Sequence, residues 1–351
     1  MFAVIEKIVG DGTPGAGSAP RKDVVLADGR GSVPKVSVVI PVLNDACGLA
    51  RCLASIRAND YPAGRLEIIV ADNGSTDGSP EVAARAGATV VALPGLSVAA
   101  VRNHIAAMAT GEVLAFVDAD HELSAGWLRS AIDALAHPRV AAVGAPYHPP
   151  AQATWVQRMY DSFRSRTAEP ADTRWLGSGN LAIWSWAFAE AGGFDTRLTA
   201  CEDVDLCQRV RQRGLRLVAD ERLHSVHYGD PRTMRQLFAS ELWRGRDNLL
   251  VSLRGPLTLR DVPSLVLPLV MLAGLVSLPV AVVVAALGMP LLLVVVLSVI
   301  LAMPGARALA MARRLRERRP IGLAQALVVA ATYDVARALA LVMRKSHRRA
   351  R

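Results

Sequence analysis

Residues 113–120 read Val113-Leu114-Ala115-Phe116-Val117-Asp118-Ala119-Asp120, five apolar residues ending on two carboxylates one residue apart. A continuous apolar run of this length, bounded by turn residues, fits a fully buried strand. Its end would hold Asp118 and Asp120 rigidly at the carboxyl edge of a parallel sheet, where such sheets bind ligands. Two carboxylates with a small residue between them can bracket a hard divalent cation that keeps its other positions for phosphates and water. Aspartates are also common in ordinary turns after strands, so the pair takes its meaning from its neighbours.

Working outward, apolar runs at Val36–Val42, Leu66–Ala71 and Thr89–Leu93 alternate with helical patterns near 46–58, 78–87 and 97–109. Strands separated by helices in this way predict stacked βα units and a mostly parallel sheet covered on both faces. Pro41 would normally demote a strand, but at its carboxyl end it can turn the chain into a pocket. Asn44 and Asp45 would then stand on the same rim as Asp72 and Asp118. The second strand runs into Asp72-Asn73-Gly74-Ser75-Thr76-Asp77-Gly78. That turn is either a plain βα connection with a capping residue or a polar pocket floor aimed at a base or ribose. It matches neither a phosphate-binding Walker loop nor a GxGxxG fingerprint.

Further on, Gly192-Gly193-Phe194-Asp195 precedes Cys201-Glu202-Asp203-Val204-Asp205. Acids opening a helix are electrostatically ordinary, yet a carboxylate there could act as a general base if it faces the cation. His224 and His227 follow a short strand near Leu215–Ala219. Each is either structural or, for His227, the completion of a metal shell.

The 351 residues are 52% hydrophobic and carry a net charge of +9. A chain this apolar offsets its ordering entropy, which excludes disorder as its main state. From Arg307 onward the net charge is +10, leaving −1 for everything before it. Basicity confined to a tail behind the greasiest stretch suits membrane flanks and argues against a nucleic-acid groove. Cysteines 47, 52, 201 and 207 form no CxxC pair, so a structural zinc is not expected. Residues 264–303 contain no charged side chain. At ~1.5 Å per residue, they reach about 60 Å, two passes of a ~30 Å hydrocarbon core; a buried soluble hairpin is the alternative.

The chain therefore divides into a flexible leader (1–34), an α/β unit (35–230), an amphipathic surface or interfacial helix with linker (231–260), two transmembrane helices (261–304) and a basic remainder (305–351). The loop Arg313-Arg314-Leu315-Arg316-Glu317-Arg318-Arg319 sets the orientation, with the α/β unit on the cytoplasmic side of a cell membrane. A third span over 321–343 would export the basic end Arg344–Arg351, so that stretch is expected to be an interfacial or re-entrant helix.

Taken together, these segments resemble the inverting glycosyltransferases of family two, which have the GT-A fold and here a membrane-attached C-terminal part. The resemblance covers residues 35 to about 250. It rests on VSVVIPVLN at 36–44, DNGSTDGS at 72–79, VAAVRNHIAAMATGEVLAFVDAD at 98–120, and GGFD at 192–195 followed by Glu202-Asp203. It implies nucleotide-sugar contacts by Pro41, Asn44, Asp72, Asn73, Arg102, Asn103 and Asp118, and a divalent metal ion (Mn2+ or Mg2+) on Asp118, Asp120 and His227. It further implies Asp203 as catalytic base with Glu202 beside it. The implied partners are a nucleotide-sugar donor and a lipid-linked or glycan acceptor. Processive synthases of the family carry a QxxRW signature; the comparable region here reads Glu241-Leu242-Trp243-Arg244-Gly245, which favours single transfer over polymer synthesis. A nucleotidyltransferase would need an early basic phosphate loop that is absent. A non-catalytic nucleotide-binding membrane scaffold and a processive polysaccharide synthase are the remaining alternatives.

Overall fold

A computed structural model describes residues 33–343, apart from 165, 256, 260 and 261. The leader, save its last two residues, and the basic end at 344–351 lie outside the described residues. The first strands and helices are β1 (Val36–Val42), α1 (Ala46–Arg57), β2 (Leu66–Asp72), α2 (Ser79–Arg85), β3 (Thr89–Ala92), α3 (Val98–Met108) and β4 (Val113–Val117). Next come β5 (His121–Leu123), α4 (Trp127–Leu135), β6 (Val140–Gly144), α5 (Trp155–Asp161), β7 (Ala171–Asp172) and β8 (Asn180–Trp184). The rest are α6 (Ser185–Glu190), α7 (Glu202–Gln212), β9 (Arg216–Ala219), β10 (Ser225–His227), α8 (Met234–Arg244), α9 (Asn248–Ser252), α10 (Val262–Ala286), α11 (Leu291–Leu315) and α12 (Pro320–Ala340).

The main sheet has the order β3-β2-β1-β4-β8-β6-β9-β7. β1 pairs in parallel with both β2 and β4, with Val36 opposite Leu66 on one side and Val113 on the other. β8 runs antiparallel between β4 and β6, making a mixed, mostly parallel sheet. β1 and β4 are buried on both faces, which is why their sequences read as unbroken apolar runs. The chain steps from β1 out to β3 and then returns to the other side of β1 as β4. That reversal opens a crevice beyond the carboxyl ends of β1 and β4, between Pro41 and Asp118. Beneath it Phe116, Phe188 and Phe194 pack with ring centroids 5.2–5.3 Å apart. A separate ladder, β5 with β10, lies past the end of β4.

A second core, built from α5, α8, α11 and α12, buries Met159, Leu237, Met311, Val329 and Ala330. Each such apolar side chain contributes about 1.5–3 kcal/mol. The amphipathic stretch expected within 231–260 is broken into α8 and α9 after Arg244. A Cβ at Gly245 would lie 2.6 Å from Ala340 Cβ, so a glycine is what lets α12 approach. α10, α11 and α12 are each long and apolar enough to cross a membrane, with mean hydropathies of 2.6, 2.2 and 1.3. α11 continues past 304 to Leu315 with Pro304 inside it, as apolar helices tolerate where neighbours re-satisfy the freed backbone. α12 is one unbroken helix that stays against α5 and α8 through Ala326, Val329 and Ala330.

Candidate active site

The β5/β10 ladder sets His121 directly opposite His227, and directly opposed residues project to one face. Their rings lie 4.6 Å apart. Asp120, one residue before β5, brings Oδ2 to 3.2 Å from His227 Nε2. One ligand atom from each of Asp120, His121 and His227 falls within 4.8 Å of the others. The second nitrogen of each ring is committed elsewhere: His121 Nδ1 is 2.9 Å from Ser225 Oγ, and His227 Nδ1 is 3.0 Å from Asp230 Oδ1. Arg164 Nη2 in turn donates to Asp230 at 2.6 Å. Ring nitrogens oriented by outer partners are the usual mark of metal-binding imidazoles. Two glycines leave the space: a Cβ at Gly229 would sit 2.0 Å from Asp120 Oδ2, and one at Gly179 3.2 Å from His121 Nε2. Asp120 Oδ1 is buried with no partner among the described residues. The donor set and the orphaned oxygen fit a divalent cation.

The electrostatics divide the two histidines. Burial works against a charged His227, but the hydrogen bonds it donates to Asp120 and Asp230 outweigh it and push the imidazole up to about 10. Burial, helped by the His227 charge, takes His121 down to about 4, so it stays neutral. Despite its own burial, Asp120 is held below the usual carboxylate range by His227.

Arg102, on α3, is only 3% exposed. Its Nη2 reaches Asp118 Oδ1 at 2.5 Å and its Nη1 reaches Glu202 Oε1 at 3.1 Å. One guanidinium thus ties the end of β4 to the start of α7. Cys201, which precedes α7, takes the left-handed conformation at φ 62°, a strained state for a side chain other than glycine. Thr199 N and Ala200 N donate to the buried Asp247 at 2.7 and 3.2 Å, fixing the loop that leads into it. Glu202, Asp203 and Asp205 then occupy the first turn of α7, where the helix dipole favours carboxylates. Removal from water and the neighbouring Glu202 charge nevertheless push Asp203 up to about 6.

A cavity of about 1240 Å3 brings together Pro41, Asn73, Arg102, Asp118, Asp120, Glu202, Asp203 and His227. Asn44, Asp72 and Asn103 do not line it. Asn44 Oδ1 accepts from Thr76 N at 2.8 Å, and Asp72 accepts from Gly74 N and Ser75 N, so both shape the turn that floors the cavity. Asn103 clasps the backbone of Phe194 from both sides of its amide. Sequence reasoning missed His121, although it directly follows the aspartate pair, and Asp230, three residues after His227. Their link is the β5/β10 pairing, which no local pattern announces. Trp175, Trp243 and Arg244 also line the cavity.

Residues 37–189 match the family model of glycosyl transferase family 2. The chain is 28% identical over 246 residues to glycosyltransferase AglE of Haloferax volcanii, an alignment covering 67% of this chain and 80% of the relative. It is 33% identical over 195 residues to the pre-mycofactocin glycosyltransferase of Mycobacterium tuberculosis, covering 52% of this chain and 40% of that one. In fold it is similar to a mannosyltransferase from Pyrobaculum calidifontis in complex with GDP-Man and Mn2+. There the TM-score is 0.57 at 22% identity, with 86% of each chain covered.

Proposed function

We propose that the chain, whose residues 37–189 match the family model of glycosyl transferase family 2, moves a single sugar from a nucleotide-diphospho-sugar to a lipid-linked or glycan acceptor with inversion. The observation that carries this reading is one cavity holding both Asp203 and the Asp120/His121/His227 cluster. Asp203 takes the proton of the acceptor hydroxyl as its oxygen attacks the anomeric carbon. A carboxylate raised to about 6 is a stronger base than a free aspartate and is still ionised at neutral pH. Attack and departure in one step invert the anomeric centre with no covalent sugar on the protein.

Asp120, His121 and His227 are the residues proposed to hold a divalent cation, Mn2+ or Mg2+. Bound there, it would supply Lewis-acid stabilisation to the departing nucleoside diphosphate. Two imidazoles beside one carboxylate favour manganese over magnesium, which prefers an all-oxygen shell. Arg102 holds Asp118 and Glu202 in place, while Pro41 and Asn73 face the donor. The solved fold relative was captured with GDP-Man and Mn2+, in keeping with this assignment.

For the membrane, two passes by α10 and α11 fit best. α12 stays on the catalytic domain from Ala326 to Arg337, about 16 Å at 1.5 Å per residue. A helix leaving to cross the bilayer would not follow the domain that far. The positive charges of Arg313–Arg319, at the end of α11 and in the loop after it, support a cytoplasmic catalytic domain.

Asp203→Asn tests the assignment. Turnover is expected to vanish while nucleotide-sugar binding persists; loss of binding would move Asp203 from the chemistry to the pocket wall.

A further inference from the structure

The cavity does not stop at Asp203. Its wall continues onto Arg244 of α8, Leu267 of α10, Arg307 of α11, and Tyr333, Asp334 and Arg337 of α12. Cys201 Sγ sits 3.5 Å from the Arg244 carbonyl oxygen, so this annex begins two residues from the proposed base. Three guanidinium groups meet two carboxylates there. Arg307 pairs with Asp334 at 2.8 Å, while Arg337 and Arg244 share Glu241 at 2.8 and 3.1 Å. Glu241 is fully buried and also accepts from Tyr160 Oη at 2.5 Å, so its charge is spent inside the protein. The Tyr333 ring holds Arg307 and Arg337 together, their guanidinium carbons 4.7 and 5.3 Å from its centroid. All three arginine side chains keep 19–29% of their surface open.

Like charges held this close in a low-dielectric wall repel unless another anion joins them. The annex has one positive charge to spare, arginine forks match phosphate oxygens, and the helices beside it are apolar on their outer faces. The donor diphosphate already has its proposed place, by Asp120 and the two histidines.

We propose that the annex anchors the phosphate of a lipid phosphate or diphosphate whose attached sugar is the acceptor, the hydrocarbon leaving past Leu267 along α10. This rests on the transferase reading and names the acceptor class for it. The phosphate anchors and does not react. The acceptor hydroxyl gives its proton to Asp203, its oxygen bonds to the anomeric carbon, and the bond from that carbon to the nucleoside diphosphate breaks.

The test measures binding of farnesyl phosphate, farnesol and inorganic phosphate to the full chain in phosphatidylcholine nanodiscs, corrected against empty discs. Manganese-dependent nucleoside diphosphate binding is followed in the same samples. Farnesyl phosphate should bind at least tenfold more tightly than either farnesol or inorganic phosphate. The variant R307Q, which takes away the spare positive charge of the annex, should lose that tenfold advantage and keep nucleotide binding. Farnesol equal to farnesyl phosphate would overturn the proposal by removing the phosphate. Inorganic phosphate equal to it would overturn it in favour of a soluble phosphorylated compound. Parallel loss of nucleotide binding in the variant would assign the arginines to the donor. Should the variant not fold, the three-ligand comparison on the unaltered chain decides alone. Farnesyl phosphate binding without any nucleotide binding would instead sink the transferase reading and leave the anchor standing.

Discussion

Arg102 Nη2 lies 2.5 Å from Asp118 Oδ1, so the first carboxylate of the aspartate pair is answered from within the protein. The same guanidinium holds Glu202. Beside it, Asp120, His121 and His227 form the cluster proposed to hold the cation.

Arg102→Ala should strand two carboxylates. Losing one member of a buried ion pair costs about 3–5 kcal/mol, and the lower end is expected because the Asp118 side chain is 35% exposed and keeps water. Arg102→Lys retains the charge but cannot fork to both partners, and should recover only part of the loss. Denaturant midpoints read this directly; an unchanged midpoint for Arg102→Ala would remove the bridge from the stability account.

Asp203 sets a pH dependence. Burial first, and the Glu202 charge second, raise it from 3.8 to about 6. A base must be ionised, so kcat/KM should climb with pH and reach half its plateau near 6. The fold disfavours the charged carboxylate, so the wild type should lose stability relative to Asp203→Asn as pH rises from about 4 to about 6, and hold that deficit above. A flat activity profile between pH 5 and 7 would contradict the role.

His227 couples cation binding to a proton. With its imidazole at about 10, the cation-free protein carries that proton at neutral pH, and binding must expel it. Apparent affinity for Mn2+ should rise up to about tenfold per pH unit below that value. Calorimetry in two buffers of different ionisation enthalpy should give different heats; equal heats would exclude His227 as a ligand. Asp230→Ala, which leaves His227 Nδ1 unsupported, should weaken the cation by about 10–100-fold.

Thiol chemistry checks the packing. Cys47 is exposed, whereas Cys52 and Cys207 are buried, and burial pushes Cys201 and Cys207 up to about 12. A maleimide at pH 7 should label one site quickly, and Cys47→Ser should abolish that labelling. A second fast site would show that the loop before α7 opens.

The parallel strands were legible because β1 and β4 are buried on both faces, and burial on both faces writes an unbroken apolar run. Asp118 and Asp120 follow such a strand and Asp203 sits in the first turn of α7, so their positions followed from local pattern. His121 and Asp230 did not, because their roles arise from two three-residue strands paired across a gap of about a hundred residues. Asn44, Asp72 and Asn103, expected as nucleotide-sugar contacts, also hold backbone, a role that composition does not announce. The close approach of α12 to the end of α8 turns on Gly245 meeting Ala340, a tertiary contact invisible to helical periodicity.

The central claim is a cation-assisted nucleotide-sugar site on the Asp120 end of the cavity. Its most direct test is a thermal-shift panel of nucleoside diphosphates and their sugars on the purified full chain, with and without manganese, beside Asp120→Ala. Ligand that binds only the folded state raises the melting temperature by mass action. A manganese-dependent rise with one nucleotide, absent from Asp120→Ala, is the result predicted. No rise with any donor from folded protein, or a rise untouched by manganese and by Asp120→Ala, would contradict it.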